Sequence, residues 1–463
     1  MSGRAGEAGP GAAQGAPLPR VSVSREGLCR LLGFALLGMF LVVTFIGLNP
    51  LADIEVQTRA EGNIADRLVS LAMGGLAFAI ILLRWRLALM LLRQSWLIWL
   101  MVGWCVLSVV WSMYPGFTIR RTFVMCVLTA AAFALALNTR NTYRLHTMLA
   151  LFLAFVMALN IVATILFPSI AITEIGVRGI YGQKNMSGQV AVISAFAIAT
   201  WMSVSQRPLH VVIGLGGLGV TGLFLLMTGS RTSTALAVGL TLTVPLVMRF
   251  LARGPRERRF LFMLGLFGLA FAALGFLAVG MTLPEILKHS VGDPTLSGRT
   301  DIWEFALIEI AHRPWLGAGY GAFWDVGLDV DPVLRAPPGT FLSQVKIGYL
   351  NQAHNGYLEV MLHVGIIGLV LALAAVAQSV YQALYLCLDR TTSGAAHALH
   401  LFCFLVLVFY LGNNLMEATL FLRGQMLNNI AMLVMFLLHR VWLDRLIGQR
   451  LAAREASGAQ PMA

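Results

Sequence analysis

Apolar runs of membrane-spanning length recur along this chain. They lie near residues 31–48, 68–83, 96–112, 122–137, 147–167, 187–204, 211–228, 232–248, 260–281, 360–387, 398–411 and 425–439. A helix needs roughly 20 apolar residues to cross the hydrocarbon core. In lipid, only helices and closed barrels satisfy every backbone polar group within themselves. The pattern predicts an all-α polytopic membrane protein of about twelve transmembrane helices. Charged residues make up 12% of the 463, about half the roughly 25% of a soluble protein. A water-soluble enzyme is thereby excluded. Collagen-like, coiled-coil and broadly disordered chains are excluded too, because Leu, Ala, Phe and Val dominate without a short repeat.

The runs divide the chain. Residues 1–28, rich in Gly, Ala and Pro at their start, read as a disordered cytoplasmic tail. Residues 29–281 hold spans one to nine, and residues 360–440 hold spans ten to twelve. Residues 441–463 form a second cytoplasmic tail. No short apolar segment with a cleavage site precedes the first run, so that run reads as an uncleaved span. With the N-terminus inside, the cytoplasmic segments carry 20 of the 33 Lys and Arg but only 6 of the 21 Asp and Glu. This is the positive-inside bias. It accounts for the net charge of +12 without nucleic acid as a partner. An even number of spans puts both termini in the cytoplasm. The five cysteines show no CxxC spacing, which argues against a disulfide framework or a zinc site.

One connection is unusually long. Residues 282–359 form an outer, periplasmic loop, and loops of this length are usually functional. Within it, Ser297 to Pro314 reads as a helix capped by Ser297 or Thr300, with Ile302, Phe305, Leu307 and Ile310 as its apolar positions. The stretch from Pro314 to Gly321 reads as a tight turn region. A helical pattern restarts at His354.

The sequence from Gly214 to Gly219 matches GxGxxG but lies inside a span with no strand before it. It reads as small residues for close helix packing, not a dinucleotide site. The outer charges carry more information. Arg178, Lys184, Arg231 and Arg299 come from separate segments that all map to the outer surface. Charges at the membrane boundary are expensive and are usually partnered or functional. Gly stands near Arg178, Arg231 and Arg299, which lets backbone N–H groups approach an anion. Guanidinium groups grip phosphate bidentately. His354 is the candidate base, since an imidazole accepts a proton near neutral pH. Asn355, Glu359 and His363 follow at helical spacing, and Asn185 and Tyr181 flank Lys184 as further polar support. Glu417, with Asn413 and Asn414, is another outer polar group for which a structural hydrogen-bond role is at least as good a reading. No acidic metal cage is apparent, so neither metal nor cofactor is expected. A cationic cradle, one base and a lipid setting suit a lipid-linked diphosphate sugar as donor.

These pieces resemble the O-antigen ligase and polysaccharide polymerase superfamily in their order. The matching stretches are Arg178 to Gly188, Ser230-Arg231-Thr232, Ser297-Gly298-Arg299 with Ile302-Trp303, Pro314 to Gly319, and His354-Asn355 through Gly365-Ile366-Ile367-Gly368. The resemblance covers roughly residues 30–440. It implies a metal-independent inverting glycosyltransferase that takes a glycan from undecaprenyl diphosphate at the periplasmic face of the bacterial inner membrane. It also implies that Arg178 and Arg299 bind the diphosphate, with Arg231 and Lys184 as further contacts, and that His354 is the base. His363 departs from relatives that carry an acid near that point. The resemblance favours a polymerase of exopolysaccharide or O-antigen repeat units, whose acceptor is another glycan. The alternative is a ligase, whose acceptor is lipid A core. A twelve-span transporter is the alternative of another class. Other polysaccharide-assembly proteins are candidate partners.

Overall fold

The computed structural model describes residues 24–51, 64–251 and 299–456, apart from residues 337, 339, 340, 346, 390 and 393. Eleven of the twelve apolar runs coincide with helices. The run near 260–281 lies outside the described residues, as do the arginines at 253–259, Ser297 and Gly298. The chain is an all-α polytopic membrane protein. Its only described strands are the two-residue antiparallel pair Ile172–Thr173 and Gly176–Val177.

Among the described residues, eight helices are long and apolar enough to cross a membrane unaided. They are α1 (Arg25–Phe45), α2 (Ile64–Leu83), α5 (Pro115–Asn138), α6 (Thr142–Leu166), α8 (Pro208–Thr228), α9 (Arg231–Leu251), α11 (Gly356–Leu388) and α12 (Gly394–Asn413). The expected span near 96–112 is one arm of a broken pair. α3 (Trp85–Gln94) and the segment Trp96–Trp111, which contains α4 (Trp96–Leu107), meet at 86°. α7 (Lys184–Met202) and α13 (Met426–Ala456) pack inside the bundle, and Met426 and residues 427–438 of α13 are buried without a break. α1 starts three residues before the end of the expected tail 1–28, because Ser24 Oγ accepts from the Gly27 N–H at 3.1 Å and caps it.

The described part of the segment before α11 is packed. It starts with α10 (Arg299–His312), which matches the expected helix over the described residues. Ile302, Phe305, Phe323, Trp324, Leu350 and Leu362 form a small core of its own beneath the loop.

The Pro314–Gly319 turn seats in a break in α11. Gly365 has φ +70° and ψ −173°, so the helix ladder stops there. The turn supplies the missing partners: Ala318 and Gly319 N–H donate to the Leu362 and His363 carbonyls, both at 2.8 Å, and Ile366 N–H donates to the Pro314 carbonyl at 2.9 Å. Trp104 Nε1 donates to the Val364 carbonyl at 3.0 Å. Non-helical backbone at membrane depth is tolerated when protein satisfies it in this way. A Cβ on Gly365 would lie 2.1 Å from the Trp315 carbonyl oxygen, so both ends of the motif need glycine or a bare backbone.

Candidate active site around Glu417

Four segments distant in sequence meet at one carboxylate. Glu417, in the connection between α12 and α13, is 4% exposed. Its Oε1 accepts from Arg299 Nη2 at 2.7 Å and from Asn185 Nδ2 at 2.6 Å. Its Oε2 lies 3.4 Å from His354 Nδ1. Asn185 stands at the start of α7, Arg299 at the start of α10 and His354 just before α11.

The Glu417 connection is rigid for local reasons. Asn414 Oδ1 accepts from the N–H groups of Thr419 and Leu420, both at 2.8 Å, and Asn414 Nδ2 donates to the Tyr410 carbonyl at 2.7 Å. The buried Tyr410 hydroxyl accepts from the Phe421 N–H at 2.8 Å. Tyr320 reaches in from the segment between α10 and α11, its hydroxyl donating to the Phe421 carbonyl at 2.9 Å. Burial pushes the Tyr320 phenol well above its usual pKa, so it stays a neutral donor. Gly356 N–H donates to the Asn414 carbonyl at 2.8 Å, and a Cβ there would lie 2.0 Å from Asn414 Oδ1. The glycine after His354-Asn355 therefore lets α11 start directly against the Glu417 connection.

His354 is held in a strained conformation, with φ +49°. Non-glycine residues adopt this region rarely, at a cost of about 1–3 kcal/mol. The neighbouring backbone enforces it. Ala353, fully buried, donates its N–H to Glu359 Oε2 at 2.7 Å and accepts at its carbonyl from Trp303 Nε1 at 3.1 Å. Asn355 Oδ1 caps α11 by accepting from the Tyr357 and Leu358 N–H groups at 3.0 and 3.2 Å. Glu359 is itself 2% exposed, receives Trp324 Nε1 at 3.2 Å and lies 3.3 Å from His363 Nε2. Asn355 and Glu359 thus hold the backbone on either side of His354. His363, on the same face as expected, faces Glu359.

In the tautomer whose Nδ1–H points at Glu417 Oε2, the lone pair lies on Nε2. That nitrogen makes no hydrogen bond to a described residue, and the side chain is 26% exposed. A carboxylate behind a partly exposed imidazole is the arrangement that orients a general base.

Of the other expected cations, Arg178 is 9% exposed. Its Nε donates to the Ile170 carbonyl at 2.7 Å, and its own carbonyl accepts from Ser187 Oγ at 2.6 Å. It therefore sits on the same first turn of α7 that carries Asn185. Lys184 Nζ donates to the Ile175 carbonyl at 2.8 Å. Arg231 is exposed at the start of α9. α9 meets the same turn, since a Cβ on Gly188 would lie 2.7 Å from Ser230 Cβ. Tyr181 stands apart. It is 4% exposed and donates to the Phe45 carbonyl at 2.7 Å, so its hydroxyl braces α1.

Residues 216–373 match the family model described as O-antigen ligase. The O-antigen ligase of Pseudomonas aeruginosa is 27% identical over 278 residues, 59% of this chain and 61% of that protein. The exopolysaccharide production protein ExoQ of Rhizobium meliloti is 29% identical over 196 residues, 42% of this chain and 43% of that protein. Over these stretches the chain is similar to members of the O-antigen ligase and polysaccharide polymerase superfamily. It spans about three fifths of the first relative's length and less than half of the second's. The superfamily match takes in Arg231, Arg299, His354 and Glu359 but ends before Glu417 and begins after Arg178, Lys184 and Asn185.

The sequence offered Glu417, with Asn413 and Asn414, only as another polar group, offered Trp303 only within the resemblance, and left Arg121 unmarked. Arg121, in α5 and 6% exposed, donates to the carbonyls of Gly321, Trp324 and Asp325 and so ties the segment between α10 and α11 to the bundle. The adjacent pair Arg120-Arg121 at the head of an apolar run is the signal that could have marked it.

Proposed function

We propose that this protein transfers a glycan from an undecaprenyl-diphosphate-linked donor to an acceptor hydroxyl, without a metal, at the periplasmic face of the inner membrane. The observation that carries the reading is the convergence of Arg299 and His354 on the buried Glu417. His354 Nε2 takes the acceptor's proton as the acceptor oxygen bonds to the anomeric carbon. The bond from that carbon to the diphosphate breaks on the opposite face, its electron pair leaves with the diphosphate oxygen, and configuration inverts. Arg299 and Arg178, with Lys184 and Arg231 close to the same helix turn, supply the positive field that stabilises the departing diphosphate. The acceptor is another lipid-linked repeat unit, which makes the protein a polymerase of exopolysaccharide or O-antigen. The similarity to a ligase over 59% of the chain supports a second reading in which lipid A core is the acceptor.

Purified protein in detergent, given the native lipid-linked glycan and EDTA with or without lipid A core, tests both. A ladder from the lipid-linked glycan alone identifies a polymerase, and a single shift of the core identifies a ligase. His354→Ala should abolish either product while the protein stays monodisperse. Product at the wild-type rate from that variant would remove His354 as the base. Absence of product with the native donor confirmed would return weight to the transporter.

A further inference from the structure

α5, about 36 Å long, joins two different polar ends. Its Arg121 end meets the segment between α10 and α11. At its other end Asn138 Nδ2 donates to the Cys29 carbonyl at 2.8 Å, and Asn138 Oδ1 accepts from Arg84 Nε at 3.0 Å. Here, opposite His354, an open cavity of about 440 Å³ is lined by Arg25, Arg84, Trp85, Arg86 and Leu87.

The charge balance around this cavity is one-sided. Glu26 is shared by Arg84 at 3.1 Å, Arg140 at 2.5 Å and Arg30 at 3.9 Å. Arg25 donates to the Leu83 carbonyl, and Arg86 lies over the Trp85 ring at 5.4 Å from its centroid. Neither Arg25 nor Arg86 forms an ion pair with a described acid. Among the described residues Glu26 is thus shared by three arginines while Arg25 and Arg86 have no acid, and the excess favours an anion with oxygens for several guanidinium groups. The start of α3, which no side chain caps, adds its dipole with the same sign.

The surroundings indicate what carries that anion. Trp85 is 51% exposed, and along α3 Leu89, Met90 and Leu92 are 49%, 40% and 43% exposed. Arg86 and Arg93 complete a short amphipathic helix that turns 86° away from the next segment. Basic and apolar side chains with an exposed Trp are the composition of a helix lying in the membrane interface. Free phosphate would use the arginines and ignore this apolar margin. A phospholipid would use both.

We propose that the Arg25–Arg84–Arg86 cavity binds the phosphate of an anionic phospholipid headgroup, in the leaflet opposite the one that holds the Glu417 cluster. The site is independent of the transfer reaction.

Native mass spectrometry of the full chain, released from nanodiscs of mixed phosphatidylglycerol and phosphatidylethanolamine, tests this. Wild type should retain phosphatidylglycerol selectively. Arg25→Gln and Arg86→Gln should each lower that retention, by roughly fivefold per arginine. Arg93→Gln, on the same helix but outside the cavity, should retain it as wild type does. Equal loss in Arg93→Gln and Arg86→Gln would reduce the effect to general surface charge and overturn the site. Unchanged retention in the Arg25→Gln, Arg86→Gln double variant would overturn it as well. Millimolar inorganic phosphate should leave the lipid bound, and displacement by phosphate at that concentration would overturn the lipid assignment.

Discussion

Glu417 Oε1 accepts from Arg299 Nη2 at 2.7 Å across a separation of 118 residues, and the pair is largely buried, with side-chain exposures of 6% and 18%. Breaking a buried ion pair from one side leaves the other charge uncompensated, at about 3–5 kcal/mol. Glu417→Ala should therefore lower thermal stability in detergent substantially. Glu417→Gln keeps the shape and loses the charge behind His354. It should reduce kcat for transfer by about 100-fold, within the usual worth of an oriented general base. Glu417→Asp should recover part of that loss. A Gln variant with the wild-type kcat would show that the carboxylate does not serve His354.

Trp303 acts on His354 only through the Ala353 carbonyl. Trp303→Phe removes that hydrogen bond, worth about 1 kcal/mol, and keeps an aromatic ring against the loop. Turnover should fall by about tenfold, because a small displacement of a positioned group is costly, while donor KM holds. A change confined to KM would assign Trp303 to substrate binding.

Gly365 is the stress point of α11. Alanine there would meet the Trp315 carbonyl at 2.1 Å and would have to adopt φ +70°. Gly365→Ala should cost about 3 kcal/mol or more, from backbone strain and overpacking together. Gly448, whose added Cβ meets nothing, is the control: Gly448→Ala should leave the melting temperature close to wild type.

Tyr181→Phe should separate scaffold from site. The lost hydroxyl donates to the Phe45 carbonyl, so stability should fall by about 1–2 kcal/mol, with the rate of glycan transfer unchanged. A stable Tyr181→Phe protein with impaired transfer would place the hydroxyl in the chemistry after all.

At the other end of the bundle, the Thr391 N–H, Arg445 and the Thr391 hydroxyl hold the Asp389 carboxyl down to about 2. A depressed carboxylate contributes stability above its unfolded pKa of about 3.9 and loses it as the pH falls through the folded value. Asp389→Asn should therefore lower the melting temperature at pH 7, and the difference from wild type should shrink as the pH falls below about 4. A gap that widens on acidification would contradict the assignment.

The number, length and order of the apolar segments are local properties of the chain. A bilayer demands a minimum apolar length whatever the segment packs against, so eleven helices could be located from residues alone. The same holds for α10, bounded by Pro314, and for the helical pattern that restarts at His354. The sequence also marked Arg299, His354, Glu359 and Asn185 one by one, because a polar group at a membrane boundary is costly wherever it occurs. Their partnership was not legible. Which acid receives Arg299, and which nitrogen of His354 faces it, depends on how α7, α10, α11 and the α12–α13 connection converge, and no periodicity records that. Tertiary structure alone decided that the run near 360–387 breaks at Gly365, since the break is stable only because the Pro314–Gly319 turn satisfies its backbone. It alone turned Tyr181 inward to Phe45 and tied Arg121 to three loop carbonyls. Local sequence sets which segments enter the membrane, and packing sets which polar groups find one another once they are there.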